Sequence, residues 1–172
     1  MVTRQLVLLR HAKSSWTDPE LADHDRPLAP RGQRDARRIA TYVQDHDLAP
    51  ALVLCSSAVR TRETLAPIVL VLVGSRVRVE AALYEGTGEQ LLARLRRVPD
   101  SVPSVLVIAH NPGLQQLCLT LAASGAVGLR PRVEAKFPTG ALATLTIPMT
   151  SWRGLGPGMA TLTAFVTPKQ LG

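Results

Sequence analysis

Short, uninterrupted apolar segments alternate with amphipathic helical segments along this chain, and this alternation restricts the fold more than any other feature. Residues 5–9, 51–55 and 104–109 are almost wholly apolar and show no polar face. Strands of this kind are typically buried on both sides of a parallel sheet. Helical periodicity follows each of them, as over residues 29–46. These units predict an α/β fold, a three-layer α/β/α sandwich with a mostly parallel central sheet.

The remaining elements follow from the same patterns. Further helices are expected from about residue 58, where Pro67 is expected to kink the helix, over residues 89–98 and over residues 114–121. Further strands are expected over residues 76–79, 141–147 and 160–166, with a Gly/Pro-rich loop or hairpin between the last two. No repeat, linker or low-complexity tract divides the chain, so residues 1–172 are expected to form a single domain.

The chain is basic, with a formal net charge of +7, and nearly all of its cations are arginine. Such a charge suits a nucleic acid, an acidic protein surface or a phosphorylated substrate. The arginines are scattered along the sequence, and an aromatic content of 3% argues against a platform for stacking bases. We therefore expect no nucleic-acid partner and favour a phosphorylated one.

Targeting and cysteine signals are weak. The N-terminal apolar run is too short for a signal peptide, and the longest apolar stretch, residues 65–73, is too short to span a membrane. A cytoplasmic protein without a membrane partner is the expectation. Cys55 and Cys118 lie far apart in apolar surroundings, without the spacing of a metal site, and are predicted to be reduced core residues.

Histidine and arginine follow three of the predicted strands. The first strand runs into Arg10 and His11, the second is followed by Arg60 one helical turn later, and the fourth runs into His110. Ligands of open α/β sheets bind outside the carboxyl ends of the strands. One histidine at such a position would most simply be structural, but three coincident junctions favour a shared site.

The chemistry of these groups suits phosphoryl transfer. Two guanidinium groups can hold phosphate oxygens with bidentate hydrogen bonds. A neutral imidazole can attack phosphorus and form a covalent phosphohistidine, and a second, protonated imidazole can hold another oxygen or relay a proton. The carboxylates of the sequence are not clustered, so we expect a reaction without a metal or other cofactor.

Three motifs carry a family resemblance: RHAKSSW at residues 10–16, CSSAVRTRETL at 55–65 and VLVIAHNPGL at 105–114. Together they resemble the histidine phosphatase superfamily, which implies a phosphoglycerate mutase-like fold. HDRPLAPRG at 24–32, the HNP triplet and KFPTGALATL at 136–145 are most similar to the small SixA-type phosphohistidine phosphatases.

The resemblance implies a role for each main residue. His11 would be the nucleophile, Arg10 and Arg60 would hold the phosphate oxygens, and His110 would stabilise the transferred phosphoryl group. Ala12 departs from the family pattern, which has glycine after the first histidine. Glycine at this position allows close backbone approach, and the alanine is interpreted as a tolerated variant because the other motifs are intact.

Several further residues are weaker candidates. Glu85 would be the acid that protonates a leaving group, although a solvated loop position is equally consistent. Lys13 and Ser14 would touch phosphate or substrate, or belong to a solvated loop. Asn111 would contact the substrate, orient His110 or, as we favour, cap the following helix.

Other polar residues are expected to be structural or exposed. Arg26 is expected to order its loop through a salt bridge. Thr139 is expected either to line the pocket or to stabilise the turn in which it lies. His24 and His46 are expected at the surface. The same is expected of the polar side of the first helix, which carries Arg34, Arg37 and Arg38.

The sequence therefore predicts a phosphatase that hydrolyses phosphohistidine, on a protein substrate, through a phosphorylated His11 and with inorganic phosphate as product. A phosphoesterase or mutase acting on a small phosphorylated substrate is the alternative within the superfamily. A phosphate-binding module without turnover is the alternative of another class, although binding alone does not require a nucleophile.

Overall fold

The computed structural model describes residues 2–172, and a seven-stranded sheet runs through its centre. The strands are β1 (Thr3–Arg10), β2 (Leu52–Ser56), β3 (Arg76–Glu80), β4 (Ser104–Ala109), β5 (Ala122–Gly125), β6 (Leu142–Pro148) and β7 (Ala160–Val166). Their order across the sheet is β3-β2-β4-β1-β6-β7-β5. Only the pairings of β6 with β1 and with β7 are antiparallel among these strands, so the prediction of a mostly parallel sheet is confirmed.

Helices cover both faces of the sheet. They are α1 (Pro30–Asp45), α2 (Val59–Val69), α3 (Gly88–Leu95), α4 (Gly113–Leu121), α5 (Leu129–Ala135) and α6 (Pro168–Leu171). One apolar cluster joins the sheet to α1, α2 and α6, and a larger one joins its other face to α3, α4 and α5. The three-layer α/β/α prediction is confirmed, and it explains why β1, β2 and β4 lack a polar face.

The predicted elements agree with the structure to within a few residues at their ends. The helix predicted over residues 89–98 ends earlier, at Leu95, although Val98 remains buried. The Gly/Pro-rich segment joins β6 and β7 as a hairpin connection. It also buries Trp152 completely, which the loop prediction did not anticipate.

Three short elements had no clear sequence signal: β5, α5 and α6. β5 has four residues and α6 has four, and α5 has a proline inside its seven residues. The secondary structure of segments so short and so poor in periodicity depends on the sheet edge and core that they pack against, and not on their local sequence preference.

The two cysteines are buried and unpaired, as predicted. Within the described residues, no helix has both the length and the apolar character needed to cross a membrane. The same part of the chain contains no group of three His, Cys, Asp or Glu side chains arranged to hold a metal ion.

Candidate active site

The end of β1 places Arg10 and His11 at the carboxyl edge of the sheet. β1 pairs in parallel with β4, so that Arg10 lies opposite Ala109 and the next residue on each strand is a histidine. The backbone N–H of Gly140 donates to the carbonyl oxygens of Arg10 and His11 at 3.0 and 2.9 Å. This contact ties the turn before β6 to the segment that carries His11.

The hydrogen bonds of His11 define its tautomer. Its Nδ1 lies 2.7 Å from the carbonyl oxygen of Ala12, and because a carbonyl can only accept, Nδ1 carries the proton. Nε2 of His11 therefore holds a lone pair. The Nε–H of Arg60 donates towards this Nε2 at 3.4 Å, which agrees with an unprotonated nitrogen there.

His110 stands beside His11, with 5.2 Å between the ring centroids. Its Nδ1 lies 3.4 Å from a terminal nitrogen of Arg60, so Nδ1 accepts. Nε2 then carries the proton and donates to Oγ of the fully buried Ser56 at 2.7 Å. Ser56, the last residue of β2, thus fixes the ring that follows β4.

Both imidazoles are neutral near pH 7. Burial, assisted by the charges of Arg60 and Arg10 and opposed by the hydrogen bond to the Ala12 carbonyl, lowers the pKa of His11 from 6.5 to about 4. Burial, followed by the neighbouring His11 and Arg60, lowers the pKa of His110 to about 3. The sequence predicts a protonated second imidazole, whereas His110 beside these arginines is neutral. The negative charge of a phosphoryl group in the pocket would raise its pKa.

Arg60 is held by a carboxylate that the sequence analysis did not identify. Its two terminal nitrogens donate to the carbonyl oxygen and to Oδ2 of Asp23, at 2.7 and 3.0 Å. The hydroxyl of Tyr84 donates to the same Oδ2. These contacts orient the guanidinium so that its Nε–H faces His11.

Asp23 is ionised at neutral pH. The hydrogen bond from Tyr84, followed by the hydrogen bond and charge of Arg60, lowers the pKa of Asp23 to about 2, against a smaller opposing effect of burial. No motif pointed to Asp23 or Tyr84, because they lie 37 residues before and 24 residues after Arg60 in sequence. The position of Tyr84 shortly after a strand end was the one available signal.

Arg10 occupies the other side of the His11 segment. One terminal nitrogen donates to the carbonyl oxygen of Phe137 at 3.0 Å, while its Nε is buried and has no hydrogen-bond partner within residues 2–172. Burial and the nearby charge of Arg60 lower the pKa of Arg10. An anion bound near the guanidinium groups of Arg10 and Arg60 would offset their mutual repulsion. It would also supply the acceptor that Nε of Arg10 lacks.

A cavity of about 270 Å³ opens over His110 and Arg60, and its other lining residues are Asp23, Tyr84, Glu85, Gly86, Asn111 and Pro112. Glu85 is exposed at the rim of this cavity. Asn111 makes the capping contact that the sequence favoured: its Oδ1 accepts from the backbone N–H of Gln115 in the first turn of α4, at 3.2 Å. Its Nδ2 donates to the Phe137 carbonyl oxygen at 3.0 Å.

The two candidates after His11 are placed differently. Ser14 is buried and its backbone pairs with that of Leu28, away from the lining of the cavity over His110. Lys13 is exposed and lines a second cavity together with Arg10 and Thr139.

Arg26 and His24 belong to the loop that carries Asp23. Arg26 pairs with Asp23 at 3.1 Å and stacks over the ring of Trp16, which is the structural role predicted for it. His24 is at the surface, with 38% of its side chain exposed, and it also makes contacts that the sequence did not predict. Its ring packs edge-on against Tyr84, and its Nε2 lies 2.9 Å from Oγ of Ser57, because the loop folds back over the start of α2.

Ala12 packs into the core beside the site. It is fully buried and packs in a small apolar cluster with Leu28 and Ala36. Its backbone N–H donates to Oγ1 of Thr64 at 3.0 Å, and its carbonyl oxygen holds His11. The extra methyl group relative to glycine therefore fills space between the loop and α1.

Fold and site together define a class of protein: an α/β/α sandwich in which two histidines and two arginines lie close together after three strand ends at one edge of the sheet. A family model for the histidine phosphatase superfamily, branch 1, matches residues 6–97. The chain belongs to this superfamily. An uncharacterized protein of Mycobacterium tuberculosis is 37% identical over 163 residues, which are 94% of this chain and 100% of that protein.

Solved structures agree with the family. A protein of Nakamurella multipartitia assigned as the phosphohistidine phosphatase SixA superposes with a TM-score of 0.85, at 31% identity, over 98% of both chains. The protein histidine phosphatase SixA complexed with tungstate superposes with a TM-score of 0.77, at 25% identity, over 98% of this chain and 99% of the other. Phosphoglycerate mutase of Plasmodium falciparum, 18% identical, shares the fold with a TM-score of 0.62 over 96% of this chain and 91% of its own. The predicted phosphoglycerate mutase-like fold is confirmed.

Proposed function

We propose that this protein is a phosphatase that hydrolyses phosphohistidine on a protein substrate through a covalent phospho-His11 intermediate. The observation that carries the proposal is the state of His11, a buried neutral imidazole whose Nδ1 is held by a carbonyl and whose Nε2 lone pair faces Arg60. The SixA proteins among the structural relatives support phosphohistidine as the substrate class.

The first step transfers the phosphoryl group to His11. Nε2 of His11 attacks phosphorus, the phosphorus–nitrogen bond of the substrate breaks, and the substrate imidazole, which already carries a proton on its other ring nitrogen, leaves as a neutral ring. Arg10 and Arg60 hold the phosphoryl oxygens, on which charge is concentrated in the transition state. The phosphoryl charge raises the pKa of His110, so that this ring becomes a hydrogen-bond donor to a third oxygen.

The second step returns the enzyme to its starting state. Water attacks the phosphorus of phospho-His11, the bond to Nε2 breaks, and inorganic phosphate is released. Asp23 and Tyr84 do not enter the reaction in this scheme. They hold Arg60 so that its Nε–H stays directed at the reacting nitrogen.

The carboxyl groups near the pocket favour a phosphohistidine substrate over a phosphoester. An alkoxide leaving group needs a proton donor, whereas an imidazole that leaves as a neutral ring needs less assistance. Asp23 lines the cavity as a carboxylate paired with Arg60, and its lowered pKa leaves it without a proton to give at neutral pH. Glu85, the other carboxyl group in the lining, is exposed at the rim.

The proposal is tested by kcat/KM on a phosphohistidine peptide beside a panel of phosphoserine, phosphotyrosine and sugar-phosphate substrates, with EDTA present throughout. We expect clear preference for the phosphohistidine peptide and a decrease of about 10³-fold or more in kcat for His11→Asn. Brief mixing with radiolabelled substrate is expected to leave an acid-labile label on His11. His46→Gln, at an exposed histidine after α1, is the matched control and should retain activity.

Other outcomes lead elsewhere. Preference for a phosphoester that depends on Glu85 would replace the proposal with the small-molecule phosphoesterase. Phosphate binding with no turnover of any substrate would replace it with the phosphate-binding module.

A further inference from the structure

All three lysines of the chain line a single cavity. Lys13, Lys136 and Lys169 are the only lysines among its 20 basic residues, the others being arginines. Arg10 and Arg31 line the same cavity, and no Asp or Glu is among its described lining residues. This lysine cavity has a volume of about 550 Å³, about twice that of the cavity over His110.

Tertiary structure assembles the lysine cavity from separate parts of the chain. Lys13 lies in the loop after β1, Lys136 directly follows α5, and Lys169 belongs to α6. All three are exposed, and within residues 2–172 none of them forms an ion pair. Arg31 contacts Asp35 at 3.8 Å and is itself 70% exposed. The cavity therefore holds a concentrated positive charge with almost no internal compensation.

The lysine cavity adjoins the segment that carries the nucleophile. Arg10 directly precedes His11 and lines the cavity, and Lys13 follows His11 by two residues. A substrate whose phosphoryl group lies on His11 would therefore carry its neighbouring groups to within reach of these cations.

The chemistry of the lining selects the kind of group that would bind. Lysine is a compact charge on a flexible stem, so a set of lysines binds anions without imposing the fixed geometry of a guanidinium fork. The volume exceeds what one phosphate group needs, and the three lysines are spread over three separate segments. Several carboxylates on an extended chain satisfy both conditions better than a single phosphate does.

We propose that the lysine cavity binds acidic side chains that flank the phosphohistidine of the protein substrate. The proposal rests on the proposed function for the identity of the phosphorylated group. It adds a preference among phosphohistidine proteins, namely for those with glutamate or aspartate beside the modified residue.

Kinetics test the preference. A phosphohistidine peptide with flanking glutamates is compared at low salt with the same peptide carrying glutamines. We expect kcat/KM to be about tenfold higher for the acidic peptide, with the difference shrinking as salt screens the charges. In the Lys136→Gln/Lys169→Gln double variant the ratio should fall towards one.

Arg97→Gln/Arg153→Gln is the matched control, because it removes two charges from a different cavity, which also contains Asp100. These arginines lie in the connection before β4 and in the β6–β7 connection, away from the carboxyl edge of the sheet. The control should keep the full preference for the acidic peptide. An equal loss of preference in both double variants would mean that only net charge matters, and the subsite would be refuted.

Lysine footprinting tests the subsite without turnover. Because the chain has no lysine outside the cavity, an amine-selective acetylating reagent followed by mass spectrometry reports on this surface and the N-terminus alone. The unphosphorylated acidic peptide is expected to slow acetylation at all three lysines, and the glutamine peptide is not.

The two experiments separate the subsite from the proposed function. Protection of the lysines by the acidic peptide together with failure to hydrolyse phosphohistidine would support the subsite and contradict the proposed function. Turnover of both peptides at equal rates, with no protection, would overturn the subsite and leave the function intact. Protection by inorganic pyrophosphate but not by the acidic peptide would also overturn it, in favour of a small phosphorylated ligand.

Discussion

The two histidines of the pocket each resist protonation inside the folded protein, and this property links the stability of the protein to pH. Unfolded histidine titrates near pH 6.5, whereas the pKa of folded His11 is about 4 and that of His110 about 3. Between those values the unfolded chain binds protons that the folded chain does not. Unfolding therefore takes up protons, and the free energy of unfolding increases with pH in this range.

We expect the free energy of unfolding to be nearly constant between about pH 7 and pH 8 and to fall by a few kcal/mol as the pH decreases from about 6.5 to about 4. Urea unfolding at a series of pH values measures this directly. His11→Asn should reduce the slope, because one of the two groups that take up protons is removed.

His46→Gln provides the comparison, since this exposed histidine stacks on Tyr42 outside the pocket. It should leave the slope of the wild-type protein unchanged. A slope that survives in a His11→Asn/His110→Asn double variant would assign the pH dependence to other groups.

At the scale of elements, two helix N-termini are fitted closely against loops of the site, and glycine makes each fit possible. A Cβ on Gly32, in the first turn of α1, would lie 2.1 Å from the carbonyl oxygen of Lys13. A Cβ on Gly113, at the start of α4, would lie 2.1 Å from the carbonyl oxygen of Gly86. Neither backbone oxygen can move without moving a loop that borders the pocket.

Gly32→Ala is expected to lower the free energy of unfolding by about 2 to 3 kcal/mol and to decrease kcat, because the loop after His11 must shift. Thermal unfolding and kcat on the phosphohistidine peptide measure the two effects. Gly154→Ala is the control, since a Cβ there meets no atom within 4 Å. A Gly32→Ala protein with wild-type stability would show that the loop accommodates the methyl group freely.

At the scale of the whole molecule, a buried group around Trp152 lies at the edge of the sheet opposite the site. Trp152 is fully buried in the larger apolar cluster, and its Nε1 donates to the carbonyl oxygen of Val102 at 2.8 Å. Arg4 lies over its ring at 5.5 Å and donates to the same carbonyl oxygen. Arg4 lies at the start of β1, Val102 precedes β4 and Trp152 belongs to the β6–β7 connection, and none of them lines the cavity over His110.

Trp152→Ala is therefore expected to lower the free energy of unfolding by about 3 to 5 kcal/mol, through lost burial and the cavity left behind. At temperatures where the variant remains folded, kcat should stay close to that of the wild-type protein. Chemical denaturation and steady-state kinetics test both statements. Trp16→Ala, at a tryptophan that is 69% exposed, should cost much less stability. A large loss of kcat in folded Trp152→Ala would mean that the two edges of the sheet are coupled.

The amino-acid sequence by itself determined the layered fold and the grouping of Arg10, His11, Arg60 and His110. Continuous apolar strands require helices on both faces, and parallel strands bring their carboxyl ends to one edge. These two rules depend on local pattern alone, so residues far apart in sequence were correctly grouped without any knowledge of their contacts.

Only the tertiary structure decided the contacts between loops. Asp23 and Tyr84 meet across 61 residues of sequence to hold Arg60, and three lysines from separate segments meet in one cavity. The short β5 and α5 likewise depend on tertiary contacts, because β5 pairs with β7 at the edge of the sheet and α5 packs on the larger apolar cluster. Local sequence specifies an element when its own periodicity suffices to bury it. The position of a loop side chain depends on its contacts with every element around it, and these contacts form only when the chain folds.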